Sequence, residues 1–151
     1  MSVEFDFLTP SDKPALLGLT SGELQDTAKT ALDQLGYKVH TAANHGEFLH
    51  KFAQVNYHVC VVEELFSSNS PEENESLAYI QRMPMNLRRH CTLVMFGFSM
   101  STFNPLQAFQ CGVHAVVNPS EMFLLIQLIQ KAVADNDMFL NHFRDSQKSL
   151  G

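Results

Sequence analysis

Apolar and polar positions along this chain switch repeatedly between an unbroken apolar run and a helical spacing. Ala15 to Leu19 (ALLGL) is a short apolar run, the mark of a strand buried on both faces. Leu24, Ala28, Ala31 and Leu35 then share a helical stripe, with Thr20 and Glu23 spaced as a capping box and Gly36 as the terminating glycine. Residues 38–42 (KVHTA) read as a second strand. Asn44 and Glu47 form another capping box ahead of Phe48, Leu49, Phe52 and Ala53. YHVCVVEELF, residues 57–66, holds the third strand and ends abruptly on the adjacent carboxylates Glu63 and Glu64.

After the polar loop SSNSPEENES, Ser70 is placed to cap a helix whose first residue is Pro71, with Leu77, Ile80 and Met83 facing inward and Pro84 stopping it. CTLVMF, residues 91–96, predicts the fourth strand. Asn104 and Pro105 start a brief helix that ends at Gly112, and HAVVN, residues 114–118, predicts the fifth strand. A long helix is expected from Ser120 or Glu121. Short apolar strands separated by helices require a parallel sheet covered on both faces, an α/β three-layer sandwich. Ligands of such open sheets bind outside the carboxyl ends of the strands, where Glu63 and Glu64 stand.

The chain resembles the receiver domain of two-component response regulators over roughly residues 14–134. The resemblance rests on ALLGLT, the helix ending QLGY, VHTAAN, the YHVCVVEE strand, TLVMFG, the helix ending AFQCGV and HAVVNP. It implies a CheY-like, flavodoxin-like five-stranded sheet of order 2-1-3-4-5 and a role in bacterial two-component signalling. It also implies where phosphorylation chemistry would sit. The family's phosphoacceptor Asp corresponds to Glu63. The acidic pair that holds Mg2+ corresponds to Leu19 and Thr20, the Thr or Ser ending the fourth strand to the neighbourhood of Phe96 and Gly97, and the Lys before Pro to Asn118. Phosphoryl transfer between anions needs a divalent cation on several oxygens and a positive group beside it. Leu19 is no ligand and Asn118 has no charge, so a degenerate pseudo-receiver is expected, with Glu63 either a permanent negative charge or a solvated strand-end acid.

Composition narrows the remaining classes. A chain of 151 residues with 45% hydrophobic positions supports one core. The expected division is an N-terminal segment 1–13, the receiver-like unit 14–134 and a C-terminal helical extension 135–151. A net charge of -6 argues against broad nucleic-acid binding, and the local basic group Arg82, Arg88, Arg89 and His90 suits a helix end. The longest apolar run, MFLLI, is too short to span a membrane, and three cysteines without CxxC spacing fit a reducing cytoplasm. Cys111 is the candidate for a reactive thiol. His45 and His50 fall on different helix faces, and no zinc, P-loop or GxSxG pattern occurs, so neither a metal, a cofactor nor a catalytic residue is expected.

The last helix carries an inward stripe of Met122, Leu125, Ile126, Ile129 and Val133, while Leu124 and Leu128 widen its apolar arc. Phe139 and Phe143 would continue that arc beyond the domain, and Leu140 the inner stripe. Phe109, Leu124, Leu128, Phe139 and Phe143 are therefore the candidate partner-binding residues. Such a surface packs against the chain's own Phe5 and Phe7, a second copy, or another protein; VEFDFL could alternatively add an edge strand. The expected function is a non-catalytic signalling module working through protein contacts or homodimerisation. The alternatives are a small-molecule site around Thr20, Glu63, Gly97 and Asn118, or a weak phosphoacceptor.

Overall fold

The computed structural model describes residue 9, residues 11–70, 73–84 and 90–150, the stretch from 139 onward as helix backbone only. Five parallel strands, β1 (Pro14–Gly18), β2 (Lys38–Ala42), β3 (Val59–Glu63), β4 (Thr92–Phe96) and β5 (Ala115–Val117), form a sheet of order 2-1-3-4-5. Helices α1 (Gly22–Gln34), α2 (His45–Gln54), α3 (Glu75–Arg82), α4 (Pro105–Cys111) and α5 (Leu125–Leu150) connect and cover it. The period of two along the strands splits the core. Ala15, Leu17, Val59, Val61, Val94 and Phe96 pack beneath α1 and α5, whereas Leu16, Cys60, Val62 and Leu93 pack beneath α2 and α3. Leu77, Met95, Met100, Ala108 and Val116 form a third cluster beside α4.

Three helices begin later than their sequence predicts. α1 is capped by Ser21, whose hydroxyl accepts from Leu24 N–H at 3.4 Å, because the Thr20 hydroxyl accepts instead from Ser67 N–H at 3.0 Å. α3 is capped by Asn74, not Ser70; Pro71 lies outside the described residues. Asn74 is buried, accepts from Leu77 N–H at 3.0 Å and donates to the carbonyls of Glu63 and Glu64 at 3.0 and 3.1 Å. A short 3-10 turn, Pro119–Leu124, precedes α5, with Glu121 held off helical geometry at φ -117°. The Thr102 hydroxyl bonds the Glu121 carboxylate at 2.8 Å and sets that kink.

The later start of α5 fixes its register. Leu125, Leu128, Ile129 and Ala132 are buried, and Leu128 is fully enclosed in the core. Leu128 is thus a sheet-covering residue and not the exposed partner contact that its place in the wide apolar arc implied. Asn136 is also buried and bonds the Thr92 hydroxyl at 3.3 Å, so packing continues past residue 134. The helix backbone runs on to Leu150; the side chains of Phe139, Leu140 and Phe143, and all of Phe5 and Phe7, lie outside the described residues.

Candidate functional site

The crevice at the carboxyl end of the sheet is bounded by the loops after β1, β3 and β4 and by Asn118 after β5. Glu63 closes β3 half-buried, and its Oε1 accepts from the backbone N–H groups of Thr20 at 3.2 Å and Ser21 at 3.5 Å. These N–H groups belong to the entry of α1, where a helix end carries partial positive charge. The carboxylate is therefore compensated by the chain itself. Leu19, 3% exposed, turns into the α1 and α5 core. A Cβ on Gly18 would stand 3.0 Å from the Phe48 ring and 3.2 Å from that of Phe66, so two aromatic rings close the floor beside β1.

Glu64 takes the opposite direction from Glu63, as neighbours on a strand do. Both of its carboxylate oxygens lie 3.0 Å from the Ser99 hydroxyl, and Gly97 lies beneath it: a Cβ there would meet Glu64 Oε1 at 3.2 Å and Met100 Cγ at 3.0 Å. Asn118 is a loop staple. Its amide donates to the carbonyls of Phe98 at 3.2 Å and Met100 at 3.0 Å, its Oδ1 accepts from Ser120 N–H at 2.9 Å, and its N–H donates to Thr102 Oγ1 at 3.0 Å.

Sequence reading placed Thr20, Glu63, Gly97 and Asn118 around one crevice, and the structure sets them at that end of the sheet. Only Thr20 and Glu63 are directly bonded. Ser99 lies too late in the sequence to end the fourth strand, which stops at Phe96 as expected, but the loop carries it back over Glu64. The positions that a receiver's Mg2+ would use do not fit the ion. Leu19 is apolar and buried, the Thr20 hydroxyl is taken by Ser67 N–H, and Glu63 already accepts two N–H groups. Burial, reinforced by the Glu64 charge, raises the Cys111 thiol above the ordinary 9.0, which opposes the thiolate that a reactive cysteine needs.

Around α4 the surface is apolar. Phe98, Leu106 and Phe109 are 78%, 63% and 82% exposed, with Phe103 beside them at φ 66°. Leu124 is half-buried at the end of the 3-10 turn, next to Phe123, which is 80% exposed. One signal in the sequence marks the α4 surface: from Cys91 to Ser120 there is no Lys, Arg, Asp or Glu.

No protein-family model and no curated protein matches this sequence. Solved structures do. A CheY-like response regulator receiver domain protein from Methanospirillum hungatei aligns at 21% identity with a TM-score of 0.64, over 85% of this chain and 98% of that one. The fold is that of a receiver domain. A response regulator from Thermotoga maritima aligns at 16% identity, TM-score 0.63, over 82% of this chain and 98% of its own. An orphan response regulator of H. pylori aligns at 12% identity, TM-score 0.60, over 80% and 96% respectively. In this receiver fold the strand order and the position of Glu63 at the end of β3 agree with the arrangement that the sequence resemblance implied.

Proposed function

We propose that this receiver-fold chain is a non-catalytic cytoplasmic signalling module that does not take up a phosphoryl group and works through contact with protein. The observation that carries this reading is the engagement of Glu63 by Thr20 and Ser21 N–H groups above a buried Leu19. A carboxylate held by backbone N–H groups, with the Glu64 carboxylate turned to Ser99 and the uncharged Asn118 where a cation would respond, has neither the metal nor the charge partner that phosphorylation chemistry requires. The same internal bonds occupy the polar groups on which a small-molecule site in this crevice would rely. Glu63 serves as a fixed charge at the entry of α1 and holds the domain in one state.

The output surface is the charge-free region of Phe98, Leu106 and Phe109 on and before α4, and its partner is a second copy of this chain. An apolar surface without charges meets its own copy with no like-charge clash, whereas the rest of a chain of net charge -6 repels it. Phe109 and Leu124 remain the contact residues proposed from the sequence, joined by Phe98 and Leu106. The test of the non-catalytic reading is an intact-mass spectrum after incubation with acetyl phosphate and Mg2+, on the native chain and on Glu63→Asp. No adduct on either is expected. A phosphoryl adduct on the native chain overturns it.

A further inference from the structure

His45, the first residue of α2, joins three parts of the structure. Its Nδ1 accepts from the backbone N–H of Ser76 at 3.2 Å and lies 2.8 Å from the Ser76 hydroxyl. Because a backbone N–H can only donate, Nδ1 must present its lone pair, and the ring proton of the neutral imidazole is assigned to Nε2. Nε2 then donates to Ser68 Oγ at 3.1 Å, and that hydroxyl donates onward to the Phe66 carbonyl at 2.8 Å. The ring also stands edge-on to Phe66, with centroids 5.2 Å apart. One neutral side chain thereby ties α2 to the β3–α3 loop and to the first turn of α3. The same loop donates Ser67 N–H to Thr20, so its position reaches the candidate site.

We propose that His45 is a proton-operated latch on the β3–α3 loop: the neutral ring clamps Phe66, Ser68 and Ser76, and a proton on Nδ1 opens the clamp. A proton there replaces the lone pair, sets Nδ1–H against the Ser76 backbone N–H, turns the Ser76 hydroxyl from donor to acceptor, and places a cation at the positive ends of α2 and α3 together. Among the described residues, the charged or titratable groups on the elements meeting at His45 are Glu47, His50 and Lys51 of α2, Glu73 of the loop, Glu75 at the start of α3 and Arg82 at its far end, which donates to the Ala78 carbonyl at 3.2 Å. Glu47 is paired with Lys51 at 3.3 Å, the Glu73 carboxylate accepts from Asn69 N–H at 3.3 Å, and Glu75 is exposed at the start of α3. Glu63 and Glu64 direct their carboxylates to the α1 entry and to Ser99.

The test combines two measurements. Long-range proton–nitrogen correlation spectra of the native chain at about pH 8 report the tautomer, with the proton expected on Nε2. Amide hydrogen exchange, corrected for intrinsic rates, is then compared at about pH 8 and about pH 5 in the native chain and in His45→Gln. Protection of the Ser68, Ser76 and Leu77 amides is expected to fall about tenfold at the lower pH in the native chain, the equivalent of the lost hydrogen bonds, and to stay level in His45→Gln. An Nδ1-protonated tautomer overturns the proposal even if the variant fails to fold. So does an equal loss of protection in both proteins, or none in the native chain.

Discussion

The side-chain amide of Asn74 donates to the carbonyls of Glu63 and Glu64 while its oxygen caps α3, so three hydrogen bonds at a buried position depend on one residue. Truncation removes the Asn74 bond to the Glu64 carbonyl and the cap on the Leu77 N–H, while the Glu63 carbonyl keeps its bond from Phe66 N–H at 3.0 Å. Asn74→Ala is expected to lower the unfolding free energy by about 2–4 kcal/mol, read by urea denaturation, the sum of a lost cap and a stranded acceptor. Cys60 supplies a pH dependence. Burial, with the neighbouring Cys91 thiol adding to it, pushes its thiol well above the ordinary 9.0. A group raised in the folded state binds its proton more tightly there than in the unfolded chain. Its contribution is therefore complete below about pH 9 and is lost as the pH climbs above it, by about 1.4 kcal/mol per unit. Stability measured between about pH 8 and 11 should fall less steeply in Cys60→Ala, with the residual slope including Tyr37, whose phenol burial also raises.

At the scale of elements, the register of α5 separates stability from surface. Leu128 is enclosed in the core, whereas Phe109 on α4 is 82% exposed. Leu128→Ala is expected to cost about 2–5 kcal/mol in denaturation, and Phe109→Ala less than about 0.5 kcal/mol. An equal loss in the two variants would contradict this register. Strand positions and the helix ends at Gly36 and Gly112 were legible from the residues, because apolar period and a glycine in the left-handed region are local properties, and the sheet order followed from the family resemblance. The starts of α2 at Asn44 and α4 at Asn104 were legible too, but those of α1, α3 and α5 were not. Thr20 and Ser21 are both capable caps, as are Ser70 and Asn74, and local chemistry does not rank them. In each case the residue with a bonding partner on another element decided the matter: Ser67 for Thr20, the β3 carbonyls for Asn74, Thr102 for Glu121.

For the whole molecule, the distribution of charge makes a prediction about assembly. Two copies of net charge -6 repel at long range, yet the segment that supplies Phe98, Leu106 and Phe109 to the proposed contact carries no Lys, Arg, Asp or Glu. Salt screens the repulsion without weakening the apolar contact, so self-association in sedimentation velocity should tighten as salt rises from about 0.05 to 0.5 M, with Phe109→Glu abolishing it at either end. A contact built on ion pairs would show the opposite salt dependence. A chain that stays monomeric at every salt concentration would move the output surface to a different protein partner.

By itself the sequence determined the α/β sandwich and, through a family resemblance, the order of its strands, and it set Leu19, Thr20 and Asn118 where that resemblance implies acids and a lysine. Tertiary structure alone decided what the remaining polar groups do. Glu63 reaches the entry of α1, Glu64 meets Ser99, and Leu128 enters the core. Each outcome depends on which loop or helix lies opposite, a distance between residues far apart in the chain that no local pattern of apolar and polar positions encodes.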